Sequence, residues 1–336
     1  MLSSDDLPAR VLFDRPASEI TVFSGSAHTG FAMKMCDTLG VELSPSRTTR
    51  FSNDCLQVQL RANCRQRDVY IVQPLTPPVQ EHLVELLLML DAARGASAAS
   101  ITAVIPHYSY ARSDKKDAPR ISIGGRMVAN LMHSAGATRV VTMALHSPQV
   151  HGFFPMPVDH LSAGPALAAH FRRPDLDLAN TVVVSPDLGA AKVASSFARL
   201  LGVPVAAGSK RRLNDDLVVI DAIVGDVQGK DVIVFDDEIA NAGTMVELLR
   251  VLRGQRVGRV AIGCTHGLYT GKAIDRLRAE AGVSEIVSTD TVPLPGEKHL
   301  PNMVTCSVTG LFAEAVRRIH CGESVSRLFD DEPTYG

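Results

Sequence analysis

No pair of cysteines in this chain has the C-x-x-C spacing. The six, Cys36, Cys55, Cys64, Cys264, Cys306 and Cys321, are scattered over 336 residues. That argues against a structural zinc site or a disulfide framework and for a reducing compartment. No apolar run approaches the ~20 residues that a membrane span needs. The first fifteen residues include Asp5 and Asp6 and no apolar core of signal-peptide length. A soluble, cytoplasmic protein is expected. Charge of one sign is also missing: 34 Lys and Arg against 36 Asp and Glu leave a formal net charge of −2. Neither nucleic acid nor an anionic membrane is then an expected partner. Any phosphate must be held by local basic groups and backbone N–H groups.

What is present is an ordinary globular composition, 46% hydrophobic and 21% charged, in a chain long enough for two domains. One stretch organises it. Val232-Ile-Val-Phe235 is a short β-branched apolar run, as expected for a buried strand of a parallel sheet. It is followed by Asp236 and Asp237, by the small-residue loop Ala240-Asn241-Ala242-Gly243-Thr244, and by a helical pattern with Met245, Leu248, Leu249 and Leu252 on one face. Free N–H groups at a helix start attract phosphate. Two carboxylates beside them can accept bonds from vicinal hydroxyls or hold Mg²⁺. Read alone, the stretch fits equally well a strand that ends in a solvated acidic turn.

Around it, apolar runs and amphipathic stretches alternate along the whole chain. Strands are expected at 20–23, 57–60, 69–72, 101–105, 140–145, 181–184, 203–206, 232–235 and 260–264. Helices are expected at 31–39, 79–94, 123–135, 165–171, 191–200, 245–252, 272–279 and 311–320. Such alternation implies an α/β protein with largely parallel sheets. The expected organisation is a lead-in at 1–19, one α/β domain at 20–160, a second at 161–329, and a tail at 330–336. Polar residues follow the strands of the second half: His146, Asp187, Lys210 and Asp236. In an open parallel sheet such ends share the ligand-binding edge.

The segments together resemble one family, the ribose-phosphate pyrophosphokinases, over residues 20–329. The resemblance is carried by Phe23-Ser-Gly-Ser26, Phe51-Ser-Asn53, Ala103-Val-Ile-Pro106, Tyr110-Ala-Arg112 with Asp114-Lys-Lys116, and Val128-Ala-Asn130. It continues in Leu145-His146 with Gln149 and Gly152-Phe-Phe154, Val184-Ser-Pro-Asp187, Gly225-Asp226, the Asp236-Asp237 loop and Thr265-His-Gly267. Arg317-Arg318 and Gly322-Glu-Ser-Val325 complete it. The resemblance implies two type I phosphoribosyltransferase-like domains. It also implies transfer of the β,γ-diphosphoryl group of ATP to the 1-hydroxyl of ribose 5-phosphate, giving AMP, with Mg²⁺ as cofactor.

By the same resemblance His146 and Asp187 match metal ligands, and Lys210 and Arg212 match a catalytic lysine and its arginine partner. Arg212 is also expected to reach the ribose phosphate. A mobile loop is expected to follow at 213–217. Arg112 and Ser113 match the nucleotide site, together with Phe51, Asn53, Asp54 and Cys55, a segment that in the family serves a neighbouring subunit. A homo-oligomer, a hexamer by resemblance, follows. Asp236 and Asp237 would take the ribose hydroxyls, and Ala240, Asn241, Ala242, Gly243 and Thr244 the 5-phosphate.

The departures cluster at these places. Ala240 stands where the family has an acidic residue, and Asn241 where it has threonine. Ala144 replaces an aspartate two residues before His146. Cys55 replaces a glutamate, Ser113 a glutamine, and Ala190 and Val193 replace a glycine and an arginine. Two alternatives stand beside the active enzyme: a silent regulatory subunit that binds a catalytic partner, and a diphosphoryl transferase with a changed acceptor.

Overall fold

The computed structural model describes residues 19–212 and 218–329. The chain forms two compact units: one takes residues up to Leu161 together with those from Thr309 onward, and the other runs from Ser162 to Val308. Each is an α/β layer structure, and the two sheets are largely parallel.

In the first unit β1 (Ile20–Ser24), α1 (Thr29–Leu39), the hairpin β2 (Ser46–Arg50) and β3 (Leu56–Leu60), β4 (Asp68–Val72), α2 (Val79–Gly95), β5 (Ser100–Ile105), α3 (Gly124–Ala135), β6 (Arg139–Met143) and β7 (Val158–Leu161) follow one another. The sheet order is β1-β4-β5-β6-β7, every pair parallel. Its strands are apolar almost throughout because both faces are covered. On one face Phe23, Val69, Ile71 and Ala103 pack with Leu86, Leu90, Val128 and Met132 of α2 and α3.

The second unit contains α4 (Gly164–Phe171), β8 (Thr181–Ser185), α5 (Ala191–Leu201), β9 (Val205–Arg212), β10 (Val218–Val224), β11 (Asp231–Ile239), α6 (Gly243–Gly254), β12 (Val260–Gly267), α7 (Ala273–Arg278), β13 (Val283–Thr289) and β14 (Met303–Cys306). Its sheet order is β10-β9-β8-β11-β12-β13-β14, parallel except for the β9–β10 hairpin. One face is a cluster of Val182, Val232, Val234, Ile262, Leu248 and Leu252. On the other, Phe197 stacks on Phe235 with centroids 3.9 Å apart. Gly263 permits that layer, since a Cβ there would lie 3.2 Å from both Phe171 and Phe235.

Four expectations need correction. Helix α8 (Thr309–Cys321), expected in the second domain, belongs with the first unit. Phe312 meets Phe31 of α1 edge-on at 5.3 Å, and His320 Nδ1 lies 2.8 Å from Asp68 Oδ2. Helical periodicity reveals an apolar face but not the surface that covers it. Strand β11 runs on through the acidic pair instead of stopping before it, because β12 continues to pair with it: Asp236 faces Cys264 and Glu238 faces His266. Strand β9 is likewise longer than the expected 203–206, so Lys210 and Arg212 are strand residues, opposite Ile220 and Val218 of β10. The strand expected at 140–145 ends at Met143. Beyond it Ala144 has φ +43°, which turns the chain out of the sheet. Strands β2, β7, β10, β13 and β14 were not anticipated. The expected loop 213–217, the tail and all but the last residue of the lead-in lie outside the described residues.

Candidate active site

In the second unit, successive connections run from β8 to β9 on one side and to β11 on the other. The C-terminal ends of β8 and β11 therefore flank the point where strand order reverses, the usual place for a ligand crevice in an open α/β sheet. Asp187 follows β8; its Oδ1 accepts the Ala190 N–H at 2.9 Å and so shapes the turn into α5. Asp236 and Asp237 lie near the end of β11, where the Asp237 N–H donates to Asp236 Oδ1 at 2.9 Å. Burial, then the Asp237 carboxylate, with Asp187 adding, push Asp236 well above the usual carboxylate range. The sequence reading placed His146, Asp187, Lys210 and Asp236 on one edge; the fold brings Asp187 and Asp236 together, but His146 follows β6 of the other sheet, because neighbouring strands in sequence can belong to different sheets.

The loop after β11 turns through Ala242, whose φ of +59° is left-handed, and enters α6 at Gly243. Asn241 Oδ1 accepts the Gly243 N–H at 2.9 Å. The loop is tied from outside by Thr270 N–H to Ala240 O at 2.9 Å and by Arg276 Nη1 to Asn241 O at 2.7 Å. Behind the carboxylates, His266 Nδ1 lies 2.9 Å from Thr291 Oγ1. The Cys264 thiol is driven up by burial and by Asp236. Glu238, buried opposite His266 in the ladder, is a third carboxylate in this run.

Strand β9 pairs with β8 as far as Ser185 and Ala207. Lys210 is three residues further on, so its backbone stands roughly 10 Å past the end of β8 at ~3.3 Å per residue. The β9–β10 ribbon thus carries the basic run beyond the sheet edge, on the side where Asp187 and the loop lie.

The remaining candidates belong to the first unit. His146 is exposed on the loop after β6. That loop is pinned by a residue the sequence reading missed: half-buried His160 of β7, whose Nε2 accepts the Leu145 N–H at 2.8 Å. Burial lowers His160 to about 4, which keeps its ring neutral and able to accept. Arg112 is exposed at the end of a 3₁₀ turn, Ser109–Arg112. Ser113 is engaged at the start of α3, its Oγ accepting the Gly124 N–H at 2.9 Å. Phe51, Asn53, Asp54 and Cys55 form the exposed tip of the β2–β3 hairpin. There Asn53 Oδ1 accepts the Cys55 N–H at 3.2 Å and Asp54 has φ +70°. Phe51 is 47% exposed.

His160 and Arg276 have no signal in spacing or composition. Both act on main-chain atoms of segments distant in sequence, so only the fold identifies them.

The chain matches two family models: the N-terminal domain of ribose phosphate pyrophosphokinase over residues 20–136, and the phosphoribosyl synthetase-associated domain over residues 219–330. It is 61% identical to a putative ribose-phosphate pyrophosphokinase of Streptomyces coelicolor, over 94% of this chain and 99% of that one. It is 49% identical to the ribose-phosphate pyrophosphokinase of Deinococcus radiodurans, over 93% and 98%. Among solved structures it superposes on phosphoribosylpyrophosphate synthetase from Mycobacterium smegmatis with a TM-score of 0.84 at 36% identity, covering 89% of this chain and 98% of the other. With matches of this extent in both halves, the chain belongs to the ribose-phosphate pyrophosphokinase family.

Proposed function

We propose that the protein transfers the β,γ-diphosphoryl group of Mg-ATP to the 1-hydroxyl of ribose 5-phosphate, giving phosphoribosyl diphosphate and AMP. The observation that carries this reading is the acidic pair and helix-entry loop at the switch point of the second sheet, within a chain that matches the family end to end. The sugar oxygen forms a bond to the β-phosphorus. The bond from that phosphorus to the oxygen it shares with the α-phosphorus breaks, AMP leaves, and the hydroxyl proton is released. Catalysis of this kind rests on positioning and charge stabilisation.

Asp236 and Asp237 hold the ribose hydroxyls, and residues 240–244 present backbone N–H groups to the 5-phosphate. Lys210 and Arg212 neutralise charge on the transferring group, and Arg212 also meets the sugar phosphate. Arg112, Ser113 and the Phe51–Asn53–Asp54–Cys55 tip hold the nucleotide, the tip serving a second copy of the chain. An exposed aromatic at a hairpin end suits that role. Mg²⁺ fits the donor set: crowded carboxylates raise one another in its absence, and Mg²⁺ takes one or two carboxylates plus phosphates and water. Among the described residues no group of three or more His, Cys, Asp or Glu is arranged to hold a metal by itself. By the family resemblance His146 and Asp187 are each candidate ligands of the ion, which would supply charge neutralisation at the nucleotide's phosphates. All six cysteines are free, which suits a cytoplasmic enzyme, and no helix among the described residues is long and apolar enough to cross a membrane.

Ala240 and Asn241 favour the silent-subunit alternative; retention of Lys210, His146, Asp187, Asp236 and Asp237 favours the enzyme. AMP release from Mg-ATP by the purified protein, dependent on ribose 5-phosphate, tests the reading. Release no greater than background, with or without inorganic phosphate, would overturn it.

A further inference from the structure

Arg276 of α7 reaches the loop after β11. Its Nη1 donates to Asn241 O at 2.7 Å and lies 3.5 Å from where a Cβ on Gly243 would be. The guanidinium therefore rests against the main chain of the loop assigned above to the 5-phosphate. Its neighbours are otherwise committed: Arg278 pairs with Asp275 at 3.1 Å, and Arg253 pairs with Glu280. Arg276 has no carboxylate partner among the described residues and is exposed. An arginine carries five donors in a planar fork. One holds the loop carbonyl, and the rest of the fork remains for an oxyanion.

Peptide planarity adds a second consequence. In a trans peptide the C=O and the following N–H point in opposite directions. Fixing Asn241 C=O toward Arg276 turns the Ala242 N–H away from it and sets its direction, while the left-handed Ala242 carries the chain into α6. The loop itself brings no compensating charge, since Ala240 and Asn241 stand where a carboxylate and a hydroxyl would be. A carboxylate at 240 would compete with phosphate for the guanidinium; alanine does not.

We infer that Arg276 is a specificity-determining residue for the sugar phosphate, orienting the loop through Asn241 O and supplying the cation that complements the 5-phosphate. This rests on the proposed assignment of the loop. It predicts an effect confined to one substrate. Arg276→Ala should raise KM for ribose 5-phosphate roughly tenfold to a hundredfold, as for loss of a charge-assisted contact. KM for ATP and kcat should stay within about threefold. Arg276→Lys, which keeps the charge without the fork, should fall between parent and alanine.

An unchanged KM for ribose 5-phosphate in Arg276→Ala would overturn the inference. So would an equal rise in both KM values together with a lower melting temperature, the mark of a merely structural helix contact. Calorimetric titration of ribose 5-phosphate into the same proteins separates this from failure of the activity itself. If the parent releases no AMP but binds the sugar phosphate, tenfold or more weaker binding by Arg276→Ala sustains the inference; equal binding, or no binding by the parent, overturns it.

Discussion

Asp236 is a carboxylate whose surroundings disfavour its ionised form: burial, then Asp237, with Asp187 adding, all act in that direction. Its folded value lies above its unfolded one. Its contribution to stability is therefore complete below the unfolded value, near ~4, and is lost as pH rises through the folded value. Above that range the site itself costs the ligand-free protein stability. Asp236→Asn should raise the melting temperature of the ligand-free protein at neutral pH by about 2–4 °C or more, the shift for ~1 kcal/mol in a unit of this size, while turnover collapses. A lower melting temperature in a calorimetric scan would show that the ionised carboxylate is instead held by favourable bonds. Lys210 makes the complementary case. If it neutralises charge that develops in the transition state, Lys210→Ala should lower kcat roughly a hundredfold with little change in either KM. Steady-state kinetics within about threefold of the parent would leave the basic run a solvated strand end.

Elements explain why these residues stand where they do. β11 reaches Ile239 because β12 keeps offering partners, so the carboxylates are held by a ladder and not by a turn. α8 shows the same dependence on a distant partner. It returns to the first unit through a buried contact in which Asp68 Oδ1 accepts Ser100 Oγ at 2.7 Å and Asp68 Oδ2 meets His320 Nδ1. His320→Ala would remove a buried hydrogen bond to the Asp68 carboxylate, at a cost of about 1–3 kcal/mol. Urea denaturation should show this loss with kcat per folded molecule unchanged. A variant as stable as the parent would mean that packing of Phe312 on Phe31 suffices to hold the helix.

At the scale of the molecule, the hairpin tip projects into solvent. Four exposed residues at 51, 53, 54 and 55 end a two-stranded ribbon, and the resemblance gives that tip to a neighbouring subunit's nucleotide. The protein should therefore be a homo-oligomer whose activity falls on dilution below its association range. Light scattering run alongside the assay checks this, and full activity from a species that stays monomeric would contradict it.

The chain alone determined the α/β class and most of the elements, and it placed the acidic residues toward the C-terminal side of their strands. Those signals are local: strands buried on both faces are continuous apolar runs, and amphipathic helices repeat their apolar positions. The same locality made the Asp236-Asp237 loop legible. It did not make legible the continuation of β11 and β9, the home of α8, or the parts of His160 and Arg276. β9 is extended by the next strand of its own hairpin; the others are set by partners farther away in sequence, 15 residues for His160 and Leu145, 35 for Arg276 and Asn241, and 252 for His320 and Asp68. A hydrogen bond to a main-chain atom or a helix docked on another face leaves no periodicity behind, so only the tertiary structure decided them.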